Sequence, residues 1–584
     1  MDTIITAKPQ RFSIWKNFAG FIRMIKLPWL LIGIAFALNL GRAIIGLVLP
    51  EKMAQITEID LTGGDSFVKL AVSLCMTIFV LALVNFIIAL AATYITLLAK
   101  AAINRDFQIV ASKKLFSLRV KDIEVRDPKE FISRITTDTG FVSDFLIELL
   151  VNEIPRLYFI INTIINVARM KNGTLVMSFI IIIPVIILGS YWSGHVNYKT
   201  QNKLQQAMAT LTARLAEKIG NMEIIKSYNN TAREIDSGNI LIDEMKKAQK
   251  KNTMAEALNT LVSNILFVVP TLIIMIAGAT QLLGNRITTP QFIQYFALGT
   301  TYQEYIAAHL LLWVLSKRAQ GATQRLSDVM ILPEDGYGSI QAMDSGTIEF
   351  RNVCFSYGDQ ETLNNVSFTI PYGSKFAIVG PSGSGKSTIL NLIEQFYRPE
   401  SGSILMNGKD ISEYEIRSYR NRFAYLPQNA PGFSGTIRDM LCYGSDGSHT
   451  DEELNILLKD VNMYDSVRLS DEVGQEAAKL SGGQRQRLAV ARMLLKDADI
   501  ILADEATSAL DVQGAKDVSE LIDRHARGKT RVIVAHDLSL VTDADSIVVI
   551  DKGRVVDQGT HEELLKRCTL YRDMYNTGKE EQQA

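Results

Sequence analysis

Apolar residues run almost unbroken through six stretches of the first half of the chain. These lie near Pro28–Leu49, Phe67–Leu98, Phe145–Val167, Leu175–Trp192, Leu258–Leu283 and Phe292–Leu315. A helix needs about 20 apolar residues to cross a bilayer, so six membrane-spanning helices are predicted. The second stretch is too long for one bilayer and is expected to continue as a helix into water. The third contains Glu148, Glu153 and Arg156, which places part of it outside the hydrocarbon.

Basic residues between the stretches set the orientation, because cytoplasmic loops are enriched in Lys and Arg. Lys8, Arg11, Lys16, Arg23 and Lys26 precede the first stretch. Lys100 to Arg134 and Lys199 to Lys251 bracket two long basic segments. The opposite loops, EKMAQITEIDLTGGD, ARMKNG and GNRITT, are short and poor in bases. The N-terminus and both basic segments are therefore expected in the cytoplasm. Each basic segment reads as two helical extensions joined by a short crossing piece, at DIEVRDPKE with Pro128 and at KIGNMEIIKSYNN with Gly220. By charge alone, a solvated basic surface without a partner is the simpler reading.

Polar residues inside spans are costly in lipid and tend to be functional. Arg42 is the sharpest candidate, either touching a ligand in a cavity or reaching to the interface. Asn39, Asn85, Asn162, Asn166, Asn264, Gln294, Gln303, Glu304 and His309 follow, the asparagines being expected to bond neighbouring helices.

After Arg325 the pattern changes. A turn-rich linker, Pro333–Gly346, is followed by short apolar runs with the period of strands. FAIVGPSGSGKSTILNLI reads as strand, loop and helix, and the pattern GxxxxGK[ST] is met by Gly380, Gly385, Lys386 and Ser387. Such a loop closes backbone N–H groups around phosphates, its lysine reaches the β- and γ-phosphates, and its hydroxyl ligates Mg²⁺. The candidate nucleotide-binding residues are thus Gly380, Pro381, Ser382, Gly383, Ser384, Gly385, Lys386, Ser387 and Thr388. ADIILADE ends an apolar strand in Asp504, a candidate for holding magnesium, and Glu505, placed to take a proton from an attacking water. Gln428, after the strand of AYLPQN, can reach magnesium or water. His536 ends another strand and is a candidate γ-phosphate contact, since ligands collect at the carboxyl edge of such sheets.

A second glycine-rich loop, KLSGGQRQR, opens a helix at Lys479–Arg487 but lacks the lysine. Ser481, Gly482, Gly483 and Gln484 could hold a phosphate at the helix N-terminus, yet the first loop already cradles the nucleotide. The economical explanation is that the second loop serves the nucleotide of another copy, so that two chains sandwich two ATP molecules.

LSGGQRQR together with these motifs resembles the ATP-binding cassette (ABC) family. The order is the family's: Tyr357 in FSYG, the phosphate loop, Gln428, LSGGQ, Asp504–Glu505, SALD at Ser508–Asp511, and His536. The resemblance implies that Tyr357 stacks on adenine and that LSGGQ binds phosphate in trans. Six spans ahead of one cassette resemble an exporter-type half-transporter. FISRITTDT, ARLAEKIGNMEIIKSYNNTARE and ATQRLSDVM are similar to its cytoplasmic extensions, which implies that the basic segments dock coupling pieces on the cassettes. Two departures stand out: DEVGQEA at Asp471–Ala477 lacks the arginine common before the signature, and Met440 replaces the usual asparagine after TIRD.

The expected fold is multidomain: a six-helix transmembrane domain of the ABC exporter type over 1–332, a linker over 333–346, and an α/β P-loop ATPase domain over 347–584. The resemblance implies an ATP-driven exporter of an amphipathic small molecule, peptide or lipid. ATP and Mg²⁺ are the implied cofactors; Ser387, Gln428 and Asp504 are the candidate metal contacts, and Glu505 and His536 the catalytic residues. Intact Glu505 and LSGGQ in one chain favour a homodimer, and a bacterial plasma membrane suits the layout. Import of a metal-chelate ligand, a non-transporting ABC ATPase and an ATP-gated channel are the alternatives. Net charge is −1, from 61 basic and 62 acidic residues, so no whole-chain attraction draws the protein to nucleic acid. The four cysteines show no metal spacing and read as incidental thiols. The N-terminal stretch lacks the apolar core and cleavage site of a signal peptide and shows no peptidase segment, so a leader-cleaving peptide exporter is not expected.

Overall fold

A computed structural model describes residues 20–57, 65–336, 338–341, 345–445, 447, 449–474, 477–505, 512–535 and 537–583. The chain divides into two compact units. Unit 1 is Met1–Phe116 with Pro128–Leu332, and unit 2 is Ser117–Asp127 with Pro333–Ala584. The short segment Ser117–Asp127 thus belongs to the second unit although it interrupts the first in sequence.

Unit 1 is helical. Its long helices are α1 (Trp29–Ile56), α2 (Asp65–Phe116), α6 (Ile154–Arg169), α7 (Gly173–Gly220), α9 (Thr231–Leu283) and α10 (Thr289–Met330). Each carries one of the six apolar stretches, the third in part only, since it begins upstream of α6. By length and composition, Trp29–Ile56, Lys69–Phe116 and Thr231–Leu283 suffice to cross a membrane, and Gly173–Gly189 is a shorter apolar run. α2, α7 and α9 run on past their apolar stretches, as the absence of turn residues requires. The chain breaks where the sequence places the breaks. α3 (Val120–Glu124) lies between α2 and α4 (Pro128–Ser133), and α8 (Met222–Ser227) between α7 and α9.

The third span departs from a regular helix. After α4, a π-helical turn (Arg134–Asp138) leads into α5 (Thr139–Ile147), and a second π-helical turn (Glu148–Glu153) joins α5 to α6. One guanidinium within it is shared by two carboxylates. Arg156 bonds Glu148 at 2.6 Å and Glu153 at 2.7 Å, and His309 on α10 also contacts Glu153. Glu153 is buried. Removing one partner would leave an uncompensated buried charge, a far larger penalty than the pair's net stabilisation.

The expectation that each asparagine bonds a neighbouring helix fails at Asn39, Asn162 and Asn166, the last of which accepts from Arg169 of its own helix. Asn39 and Asn162 donate to Ala35 O and Tyr158 O, four residues back on their own helices. A short amide satisfies itself locally wherever the carbonyl of residue i−4 is within reach. Bonds between helices are made elsewhere, by Ser178 with Tyr295 at 2.6 Å and by Gln303 with Thr271.

Unit 2 holds two sheets. The antiparallel one has the order β2 (Gln360–Ile370), β1 (Ile348–Tyr357), β4 (Ser401–Met406), β5 (Lys409–Asp410). The larger has the order β10 (Arg554–Gly559), β9 (Ser546–Asp551), β3 (Lys375–Val379), β8 (Thr530–Val534), β7 (Ile500–Asp504), β6 (Phe423–Leu426). From β9 to β6 every pairing is parallel. β3 and β7 are buried at every residue, as continuous apolar strands covered on both faces must be. One core joins the two sheets through Phe350, Phe368 and Phe376, whose rings stack 4.5 and 5.7 Å apart. A second core gathers the helical part around α12 (Gly482–Leu495).

Candidate functional site

The site forms at the carboxyl edge of the parallel sheet, where β3, β7 and β6 release the chain. β3 ends at Val379 and Gly380–Gly385 turns into α11 (Lys386–Ile393). Glycine is required here by space as well as by conformation. Gly385 caps α11 at φ +102°, and a Cβ on it would lie 2.7 Å from the Leu363 side chain. A Cβ on Gly380 would lie 2.0 Å from Ile550 O.

Lys386 is buried, and its amine donates to Gly380 O and Pro381 O at 2.9 Å each. The lysine thus folds back over its own loop. Burial pushes its ammonium below the ordinary lysine value, against the pull of Glu505 and Asp504. Ser384 Oγ is buried with no partner.

β7 delivers Asp504 to the same place. Its carboxyl is buried, hydrogen-bonded to Ser387, and its Oδ1 has no partner. Burial raises it above the usual carboxylate range, Glu505 reinforces the shift, and Ser387 and Lys386 oppose it. Glu505 follows in the left-handed region at φ +47°, held by its N–H bond to Val534 O at 3.0 Å. Strain of this kind persists where surrounding structure over-determines it, and clusters at functional sites. From β6, Gln428 donates to Glu505 Oε2 at 2.6 Å. The structure therefore brings together the loop, Ser387, Asp504, Glu505 and Gln428.

Tyr357 ends β1 with one-third to two-fifths of its surface free (39%). It is tied to α11 by Asn391, whose amide donates to its hydroxyl at 3.3 Å. The second glycine loop stands apart from this set. Ser481 caps α12 and exchanges bonds with Gln484 in a complete capping box, at 3.2 and 2.9 Å. Ser481 and Gly482 are exposed. His536, Ser508–Asp511 and Gln475–Glu476 lie outside the described residues.

The donor set suits magnesium. Mg²⁺ is held by one or two carboxylates with phosphate and water oxygens, and here the exposed Ser387 hydroxyl meets a buried carboxyl that ends in an orphan oxygen. Among the described residues no cluster of three His, Cys, Asp or Glu offers a separate metal site. Two residues were missed by sequence reasoning: Asn391 and Tyr397, which together with Phe355 surround the Tyr357 ring. The only cue in the chain is an aromatic in FYRPE just beyond the P-loop helix.

The ABC transporter family model matches residues 363–508, and the model of its transmembrane region matches residues 32–304. An ATP-dependent lipid A-core flippase of Desulfotalea psychrophila is 30% identical over 83% of this chain and 86% of its own length. The chain belongs to the ABC transporter family. Another flippase of the same name, from Burkholderia pseudomallei, is 31% identical over 69% of each chain. A bacterial Atm1-family ABC exporter solved with ATP bound superposes with a TM-score of 0.81 at 24% identity, over 97% of this chain and 98% of that one, and shows the fold. The transporter is accordingly a multi-pass membrane protein whose nucleotide-binding domain hydrolyses ATP coupled to transport, and its fold is that of an exporter-type half-transporter.

Proposed function

We propose that two copies of this chain form an exporter that moves an amphipathic small molecule, peptide or lipid out across a bacterial inner membrane. The domains are read as 1–332, the linker 333–346, and 347–584. The observation that carries the proposal is the pairing of an intact Gln428–Glu505–phosphate-loop set with an exposed, self-capped Ser481 loop in one chain. The flippase names of the relatives support a lipid-like substrate.

In this reading the loop Gly380–Thr388 wraps the phosphates, Tyr357 stacks on adenine, and Lys386 exchanges the carbonyls of Gly380 and Pro381 for β- and γ-phosphate oxygens. Ser387, Asp504 and Gln428 would hold Mg²⁺, which neutralises charge on the phosphates when bound. Glu505 takes a proton from a water; that oxygen bonds the γ-phosphorus as the bond to the β–γ bridging oxygen breaks, leaving ADP and phosphate. Gln428 orients the Glu505 carboxylate, and His536 contacts the γ-phosphate. The signature residues of the other copy, Ser481, Gly482, Gly483 and Gln484, close over the γ-phosphate through a helix N-terminus. ATP then favours the closed pair, and hydrolysis resets it. Driving a two-state equilibrium from 1:99 to 99:1 takes about 5.5 kcal/mol of differential binding.

The test uses inside-out vesicles containing this chain alone and a panel of dyes, peptides and lipid analogues. ATP-dependent accumulation that disappears in Glu505→Gln is the expected result. Uptake in right-side-out cells with none in the vesicles would show import instead.

A further inference from the structure

The segment Ser117–Asp127 is covalently continuous with α2 and α4 of unit 1, yet it folds with unit 2. Its backbone is fixed there: Asp335 N–H donates to Ser117 O at 2.6 Å, and Leu118 forms an isolated bridge with Glu334. Leu118 is buried. Its far end is fixed by a side chain: Tyr397 donates its hydroxyl to Glu124 at the end of α3.

Tyr397 is buried and is not an isolated anchor. Its ring meets Tyr357 edge-on, with centroids 5.0 Å apart and planes at 82°, and it meets Phe355 at 5.5 Å and 67°. Phe355 and Tyr357 pack at 4.8 Å and 89°. Three rings in mutual edge contact leave little room for one to turn without the others, because packed interiors are bistable rather than freely deformable. Through Asn391 the same node is tied to the helix that carries the phosphate loop. Tyr357 remains 39% exposed, whereas the Tyr397 hydroxyl is committed to α3.

We infer that Tyr397 is a positioning residue that transmits occupancy of the base-stacking face of Tyr357 to Glu124, and so to the segment joining α2 to α4. The inference rests on reading Tyr357 as the base-stacking residue. Its distinctive consequence is that the segment responds to the nucleotide's base, beyond any response to its phosphates. A purely structural Tyr397 would fix the segment equally with or without a base.

The test is hydrogen exchange on the full-length chain in lipid nanodiscs, in a Glu505→Gln background to hold nucleotide. MgATP and magnesium tripolyphosphate are compared at concentrations that protect Lys386–Ile393 equally. MgATP is expected to slow exchange over Ser117–Asp127 several-fold, and tripolyphosphate is expected not to. Tyr397→Phe keeps the ring and removes the hydroxyl; it should abolish the MgATP effect on the segment while protection of Gly482–Leu495 persists. Glu124→Ala should match Tyr397→Phe, the two together should be no worse than either, and Glu124→Gln, which still accepts a hydrogen bond, should retain the effect. Equal responses to MgATP and tripolyphosphate, or an intact response in Tyr397→Phe, would overturn the inference. Failure of the underlying reading is separable, because ATP affinity unchanged in Tyr357→Ala would remove base stacking itself.

Discussion

The chain has two glycine-rich loops at helix N-termini, and they differ in what they leave unsatisfied. Around Gly380–Ser387, Ser384 Oγ and Asp504 Oδ1 are buried without partners, and Lys386 bonds only the carbonyls of its own loop. Around Lys479–Arg487, Ser481 and Gln484 satisfy each other and the loop faces outward. Buried polar groups without partners are rare in native proteins. The first loop is therefore built around a ligand held by this chain. The second is a finished helix cap whose first residues, Ser481 and Gly482, are exposed. A lysine, a preceding strand and two glycines that tolerate no Cβ separate a cradle from a cap.

Substitutions at each loop should have effects of different kinds. Lys386→Ala removes the cation aimed at the phosphates and is expected to lower kcat/KM for ATP by roughly 10²–10³-fold, the scale of losing one preorganised donor to developing charge. Gly385→Ala forces a Cβ into Leu363 at φ +102°; it should destabilise unit 2 by about 1–3 kcal/mol in denaturant melts, with ATP binding lost alongside. Gly482 and Gly483 of the second loop are in a helix, without positive φ, and Gly483→Ala should melt like the parent.

Ser481→Ala removes a cap worth about 1 kcal/mol. It should lower turnover about tenfold at saturating ATP while leaving the affinity of the dispersed single chain for ATP unchanged by equilibrium dialysis. A matching loss of single-chain affinity would erase the distinction between the loops.

A separate, pH-dependent effect concerns the ends of the two helices that follow the loops. Glu394, fully buried at the end of α11, is pushed up to about 7 by burial, against Arg420 and against Lys496 at the end of α12. Between about pH 4.5 and about 7 the folded state holds a proton that the unfolded chain has released. Stability therefore falls as pH rises through that window, by at most one proton's slope of about 1.4 kcal/mol per pH unit, and is level above it. Glu394→Gln should flatten the profile of thermal melting temperature against pH.

Much of this was legible in the sequence, for identifiable reasons. The phosphate loop follows β3, and Asp504 and Glu505 end and follow β7; the apolar runs of these strands and the glycines of the loop are local signals. The breaks at Pro128 and Gly220 are local too: α4 starts at Pro128 and α7 stops at Gly220. What could not be read depends on packing between distant residues. One carboxylate of the third span, Glu153, also meets a histidine more than 150 positions away, His309. Ser117–Asp127 joins unit 2 through Glu334, Asp335 and Tyr397. Asn39 and Asn162 turn to the carbonyls four residues back on their own helices. Arg42, flagged as a ligand contact or an interface residue, has a buried Nε with no partner among the described residues.

The central claim is that the second loop acts on the nucleotide of another copy, and mixing two inactive chains tests it directly. Lys386→Ala spoils the first loop, and Ser481→Glu places a carboxylate against the phosphate position of the second. Each chain reconstituted alone should be nearly inactive. Mixed in equal amounts, half of random dimers are hybrids, each with one site built from two intact loops and one from two spoiled loops. The account predicts that hydrolysis returns to roughly a quarter of the unmodified level on mixing, as symmetric pairing of two chains requires. Activity that stays at the level of the separate chains, while crosslinking shows that hybrids form, would contradict it.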